Sequence, residues 1–199
     1  MKLHMPASRF KTCRQISENV WQTKKLTQKQ KAIILKLQKK TNKKQSDFSK
    51  ELQTIQKLSL FYGKLPIKKM RRSKTQTYLD KKNSLLFDIE RRLDVILVRL
   101  NFCLTIFQAR QLISHKKICV NYKMVNIPGF QLSKGDLISI QDNFLYFIRS
   151  KIRQNFQSNR IWRIKPTHLE VNYKTLKAVV LYEPQQIQFP YSIDLDLLD

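Results

Sequence analysis

The stretch from Thr105 to Asn121, TIFQARQLISHKKICVN, restricts the fold more than any other part of the chain. Thr105 and Gln108 have the T-x-x-Q spacing of a capping box, which satisfies the free N–H groups at a helix start. Ile106, Ala109, Leu112 and Ile113 follow at helical spacing and predict one apolar face. Arg110, Gln111, Ser114 and Lys117 fall on the other side. The helix is expected to end near His115–Lys117, where cations suit its negative pole. Ile118–Val120 then reads as a short strand, Asn121–Lys123 as a turn, and Lys134-Gly135-Asp136 as a second turn. Leu137, Ile138 and Ile140 read as the strand after it, and upstream Leu93, Ile96, Leu97 and Leu100 outline a shorter helix. The expected class is α+β: two helices, then a small curled sheet. The polar helix face fits two readings equally, contact with the phosphates and exposed bases of folded RNA or an ordinary core whose polar side meets water.

Charge separates the partner classes. The 199-residue chain carries a net charge of +25, an excess that repels itself unless a polyanion neutralises it. Residues 1–84 hold 23 Lys/Arg against 4 Asp/Glu, residues 85–150 hold 9 against 5, and residues 151–199 hold 7 against 5. The front of the chain therefore supplies most of the nonspecific attraction, and nucleic acid is the leading partner. No run of about 18 apolar residues predicts a transmembrane helix. The basic amphipathic stretch 28–40 has too short an apolar face for a membrane surface, so no membrane partner is expected. The first 17 residues hold four Lys/Arg and no acid, which suits an organelle transit peptide and, better, an RNA-binding arm.

Catalytic chemistry leaves little trace. Cys13, Cys103 and Cys119 stand at no metal-site spacing, and their odd number argues against a disulfide framework. His4, His115 and His168 lack the spacing of a metal pair, and Gly63, Gly129 and Gly135 are too scattered for a phosphate-cradling loop. No metal, cofactor, catalytic residue or small-molecule substrate is expected.

Along the rest of the chain, residues 1–27 read as a basic arm with Trp21 as anchor, and 28–40 as a helix burying Ile33, Ile34 and Leu37. Residues 48–62 form the clearest helix of the front half, with Ser46 or Asp47 as cap, Gly63 as terminator and Pro66 blocking continuation. Lys68, Lys69, Arg71 and Arg72 make a compact basic cluster. Phe144 to Ile148 reads as a strand or a helix start, Trp162 as an anchor, and His168–Val171 and Leu176–Tyr182 as two β-like pieces.

R-R-L-D at 91–94, A-R-Q-L-I-S-H at 109–115, V-N at 120–121, V-N-I-P at 125–128 and G-D-x-I-S at 135–139 resemble the ribosomal protein S-four family of the small subunit. QKLSLFYG at 56–63 and P-T-H-L-E-V at 166–171 extend the resemblance, and LSLFYGKLPIKKM at 58–70 is similar to the plant mitochondrial form. It covers roughly residues 50–195.

The resemblance implies three parts: a basic arm and mostly helical N-terminal domain over 1–84, an S-four-type RNA-binding module over 85–150, and a C-terminal segment over 151–199 that packs back on the N-terminal domain. Some family members carry a Cys-rich zinc site near the N-terminus; here only Cys13 is present, so no zinc is expected. The resemblance further implies a non-enzymatic constituent of the small ribosomal subunit that binds its ribosomal RNA at a helix junction and nucleates assembly. Neighbouring small-subunit proteins and the nearby messenger RNA path are the implied surroundings, and the mitochondrion is the implied compartment, with a plastid as alternative. By the same resemblance the RNA contacts fall on Arg92, Arg99, Gln108, Arg110, Gln111, Ser114, His115, Lys116, Lys117, Asn121 and Lys123, with Lys68, Lys69, Arg71 and Arg72 as phosphate contacts beside the module; for Arg92 an internal ion pair with Asp94 is an equal alternative. Tyr122 replaces the small residue usual in the V-N-G-K turn, where its ring is placed to stack on a base or strains the turn. The alternatives are a free RNA-binding factor, which is typically module-only, and an RNA-modifying enzyme fragment, which needs a catalytic domain beside the module.

Overall fold

Capping side chains set the helix boundaries. In the computed structural model, which describes residues 26–41, 46–66, 86–157 and 166–184 together with Phe10, Cys13, Arg14 and Ser17, α1 spans Gln28–Thr41 and α2 spans Asp47–Phe61. Thr27 and Gln30 close a reciprocal capping box at the start of α1. Ser46 caps α2 by accepting from the Ser49 N–H at 3.4 Å. At the other end of α2 the Gly63 and Lys64 N–H groups bond the Leu60 and Ser59 carbonyls at 3.2 and 2.6 Å. Gly63 takes φ +67°, the left-handed residue that this Schellman ending needs. The expected arm, the Lys68–Arg72 cluster and the two Trp anchors lie outside the described residues, apart from Phe10, Cys13, Arg14, Ser17, Leu26 and Thr27.

The chain divides into two compact units, residues 1–82 with 188–199, and residues 83–187. In the first, Ile34 of α1 is buried with Cys13, and Phe10 and Leu26 pack around them. Ile33, expected in the core, is instead 41% exposed.

The second unit contains α3 (Leu93–Arg99), α4 (Ile106–Ser114), β1 (Ile118–Val120), β2 (Lys123–Val125), β3 (Leu137–Ile140), α5 (Asp142–Gln157), β4 (Leu169–Asn172) and β5 (Lys177–Val180). The strands form one antiparallel sheet in the order β2-β1-β3-β5-β4. The alternation of β-strand side chains puts Ile118, Val120, Ile138, Ile140, Ala178 and Val180 on one face. There they share a core with Leu93, Ile96 and Leu97 of α3, Ala109, Leu112 and Ile113 of α4, and Ile148 and Ile152 of α5.

Of the two readings of Phe144 to Ile148 the helix start holds, and the helix runs on to Gln157. The two β-like pieces form a hairpin whose β5 pairs with β3, matching Ile138 to Ala178. Without it, β3 would present an open edge of unpaired N–H and C=O groups. Residues 166–184 therefore belong to the second compact unit, residues 83–187.

Candidate nucleic-acid interface

The R-R-L-D motif builds the floor of the site. Asp94 is fully buried. Its carboxylate accepts from Arg92 Nε and Nη2, both at 3.0 Å, and from Arg110 Nε at 2.8 Å. A buried carboxylate needs such donors, because desolvation otherwise makes the charge costly. Backbone bonds from the Leu93 and Asp94 N–H groups to the Phe130 and Pro128 carbonyls pin the V-N-I-P loop to the start of α3. A Cβ at Gly129 would meet Arg92 Nη1 at 3.0 Å, so a larger residue there would crowd that guanidinium. Arg99 makes a second forked pair with buried Glu90, its Nε donating to Oε2 at 3.0 Å.

On this floor α4 is held by its cap. Thr105 Oγ1 accepts from the Gln108 N–H at 3.2 Å, and Gln108 Oε1 accepts from the Leu104 N–H at 3.2 Å. The reciprocal bond thus reaches one residue further back than the T-x-x-Q pattern predicts. Ala109, Leu112 and Ile113 face the core, while Phe107, Gln111 and Ser114 form an exposed stripe one turn apart. The helix ends in a second Schellman motif, with the Lys116 N–H on the Ile113 carbonyl at 2.8 Å and the Lys117 N–H on the Leu112 carbonyl at 3.0 Å. Its left-handed position is Lys116 at φ +56°, a lysine where α2 has glycine. This turn swings His115 and Lys116 into solvent beside the stripe. Lys117 is half-buried, with Nζ 3.4 Å from Gln141 Oε1 and 5.6 Å from the Phe144 ring centre.

Of the residues expected to contact RNA, Gln111, Ser114, His115 and Lys116 come together on one exposed surface, and Lys123 is exposed on β2. The others are engaged within the protein. Arg92 and Arg99 hold buried carboxylates. Gln108 caps α4, although its side chain stays half-exposed. Arg110 is tied to Asp94 and also lies 5.7 Å from the Phe107 ring centre. Asn121 is bonded through both ends of its amide: Oδ1 accepts from the Leu137 N–H at 2.9 Å and Nδ2 donates to Asp136 Oδ1 at 2.8 Å. These bonds lock the β1–β2 hairpin to β3. Lys68, Lys69, Arg71 and Arg72 lie outside the described residues.

Two further exposed groups carry aromatic or cationic side chains. Phe107 shares the α4 stripe, and its spacing to Gln111 and Ser114 marks it in the sequence as an aromatic on a polar face. On α5, Tyr146, Arg149 and Arg153 are exposed at helical spacing. The cysteines are of a different character. Burial pushes the Cys103 thiol up to about 12, and Cys119 is raised by burial and then by Asp142, so neither thiol is activated as a nucleophile.

A two-helix layer on a small antiparallel sheet, with exposed cations and amides around one helix end, defines a small nucleic-acid-binding module. The S4 domain pattern matches residues 91–138. The chain is 81% identical to small ribosomal subunit protein uS4m of Marchantia polymorpha, across 98% of this chain and 100% of the relative. It is 30% identical to small ribosomal subunit protein uS4 of Gluconobacter oxydans, across 95% and 92% of the two chains. Against uS4m of Arabidopsis thaliana the identity is 46% over 74% of this chain and 42% of the longer relative. The chain belongs to the uS4 family of small ribosomal subunit proteins.

Proposed function

We propose that Gln111, Ser114, His115, Lys116 and Lys123 form a contact surface through which the chain binds small-subunit ribosomal RNA. The chain is a structural, non-enzymatic constituent of the small ribosomal subunit, in its mitochondrial form, as its relatives' identities support. The observation that carries the RNA surface is the Schellman turn at Lys116. It holds His115 and Lys116 in solvent next to Gln111 and Ser114, while the nearby arginines are engaged with Asp94 and Glu90. Lysine supplies a mobile point charge for phosphate, and Gln, Ser and His supply short-range hydrogen bonds that fix register.

In this reading the basic front of the chain, including Lys68, Lys69, Arg71 and Arg72, adds sequence-independent attraction through counterion release. The module then fixes where the chain sits on an RNA helix junction. Binding there precedes the arrival of neighbouring small-subunit proteins, and the surroundings include the messenger RNA path.

The test is a density-gradient separation of mitochondrial lysate at moderately high salt, with sequencing of RNA crosslinked to this chain. Comigration with small subunits and crosslinks clustered on one junction are expected. A light fraction with scattered crosslinks would overturn the reading in favour of a free RNA-binding factor.

A further inference from the structure

The β1–β2 hairpin turns through two residues, Asn121 and Tyr122, closed by the Val120–Lys123 pair. Both have positive φ, +48° and +64°, as a type I′ turn requires. Asparagine tolerates this conformation well, but the second position favours glycine, and an aromatic side chain there is held against its backbone preference. The rest of the turn is firmly built. Asn121 bonds to Leu137 through both backbone and side chain, and Asp136 accepts from Asn121 Nδ2 and from the Ser133 N–H at 2.7 Å. Tyr122 takes part in none of this. It is 77% exposed and has no hydrogen bond or ring contact to any described residue. Neither packing nor hydrogen bonding thus accounts for a large ring at this point.

From this geometry we infer that Tyr122 is a stacking platform for one unpaired nucleobase of the RNA; this rests on the RNA-binding reading above. The turn holds the Tyr122 backbone in place, so binding costs little backbone freedom, and aromatic rings accept any base on their face. The charge around it suits an RNA strand. Exposed Lys123 follows it directly, and exposed Lys134 stands two residues before the Asp136 that Asn121 holds. Asp136, the acid nearest in this network, has its two oxygens engaged by Asn121 and Ser133.

The test compares full-length wild type, Tyr122→Phe, Tyr122→Ala and Tyr122→Gly for binding to transcribed mitochondrial small-subunit ribosomal RNA, with base-specific chemical probing of the complexes. Glycine relieves the turn, so Tyr122→Gly is expected to melt no lower than wild type while binding roughly 5- to 100-fold more weakly. Tyr122→Ala should bind as weakly, and Tyr122→Phe within about twofold of wild type, since the stack needs only the ring. One unpaired nucleotide should be protected by wild type and Tyr122→Phe and reactive with the other two. Equal affinity and unchanged protection in Tyr122→Gly would overturn the inference while leaving the RNA-binding reading intact. Failure of wild type to bind the RNA would overturn both.

Discussion

Arg110 Nε donates to Asp94 Oδ2 at 2.8 Å, and this bond ties the exposed helix of the module to the one beneath it. Asp94 also holds Arg92, so one carboxylate with no exposed surface orders two guanidinium groups. Replacing Asp94 by Asn keeps the shape but leaves both cations without their counter-charge. Breaking a buried pair by removing one partner costs about 3–5 kcal/mol. The arginine side chains keep 14% and 24% exposure, so the lower end, about 3 kcal/mol, is expected for Asp94→Asn. Denaturant midpoints at constant m-value measure it; a loss under about 1 kcal/mol would mean that the guanidinium groups are already solvated.

Arg99 and Lys116 separate structure from RNA contact. Arg99 is 12% exposed and forked onto Glu90. Lysine cannot reproduce that fork, so Arg99→Lys should destabilise the fold by about 1.5–3 kcal/mol. Net charge is unchanged and the group faces a carboxylate. The slope of log affinity against log salt for ribosomal RNA should therefore match that of wild type. A shallower slope in Arg99→Lys would show that Arg99 also reaches a phosphate.

The elements that depend on neighbours in sequence were readable in advance. Ser46 and Gly63 bracket α2, Thr105 opens α4, and the period of Leu93, Ile96 and Leu97 gives the buried face of α3. What the pattern did not reveal depends on partners distant in the chain. Nothing in the spacing of Glu90 and Arg99 marks them as a pair, and an exposed arginine has the same local sequence. Asn121 reads as a generic turn residue until Leu137 is seen to take its amide oxygen. The hairpin of β4 and β5 is clear by itself, but its place beside β3 is decided by a pairing across about forty residues. Phe107 is hard to place from sequence alone, because a lone aromatic on a helix ordinarily packs into the core, whereas here it is exposed.

His168 gives the module a pH dependence. It is 4% exposed, and its pKa lies below the ordinary 6.5; burial is the main cause, Glu90 opposes it and Arg99 adds to it. Because the folded value is depressed, both states carry a neutral ring well above pH 6.5. Below that, the unfolded chain takes up the proton first, and stability falls as pH drops. The wild-type melting temperature should decrease from pH 7 toward pH 5 more steeply than that of His168→Gln. Parallel curves would mean that another group carries the effect.

Lys116 joins the backbone and the binding function of α4 in one residue. Its φ of +56° serves the Schellman bonds from the Lys116 and Lys117 N–H groups, a place where glycine is relaxed and a longer side chain is strained. Its ammonium group stands exposed beside Ser114 and His115. Lys116→Gly should thus keep the fold at wild-type stability or raise it by up to about 1 kcal/mol. It should also reduce the salt slope of RNA binding by about 0.9, the loss of one phosphate contact. Lys116→Gln removes the same charge but keeps the strain, so it should show the same fall in slope without the gain in stability. If both variants keep the wild-type slope, the phosphate contact belongs elsewhere on the surface, and Lys116 serves only as the helix terminator.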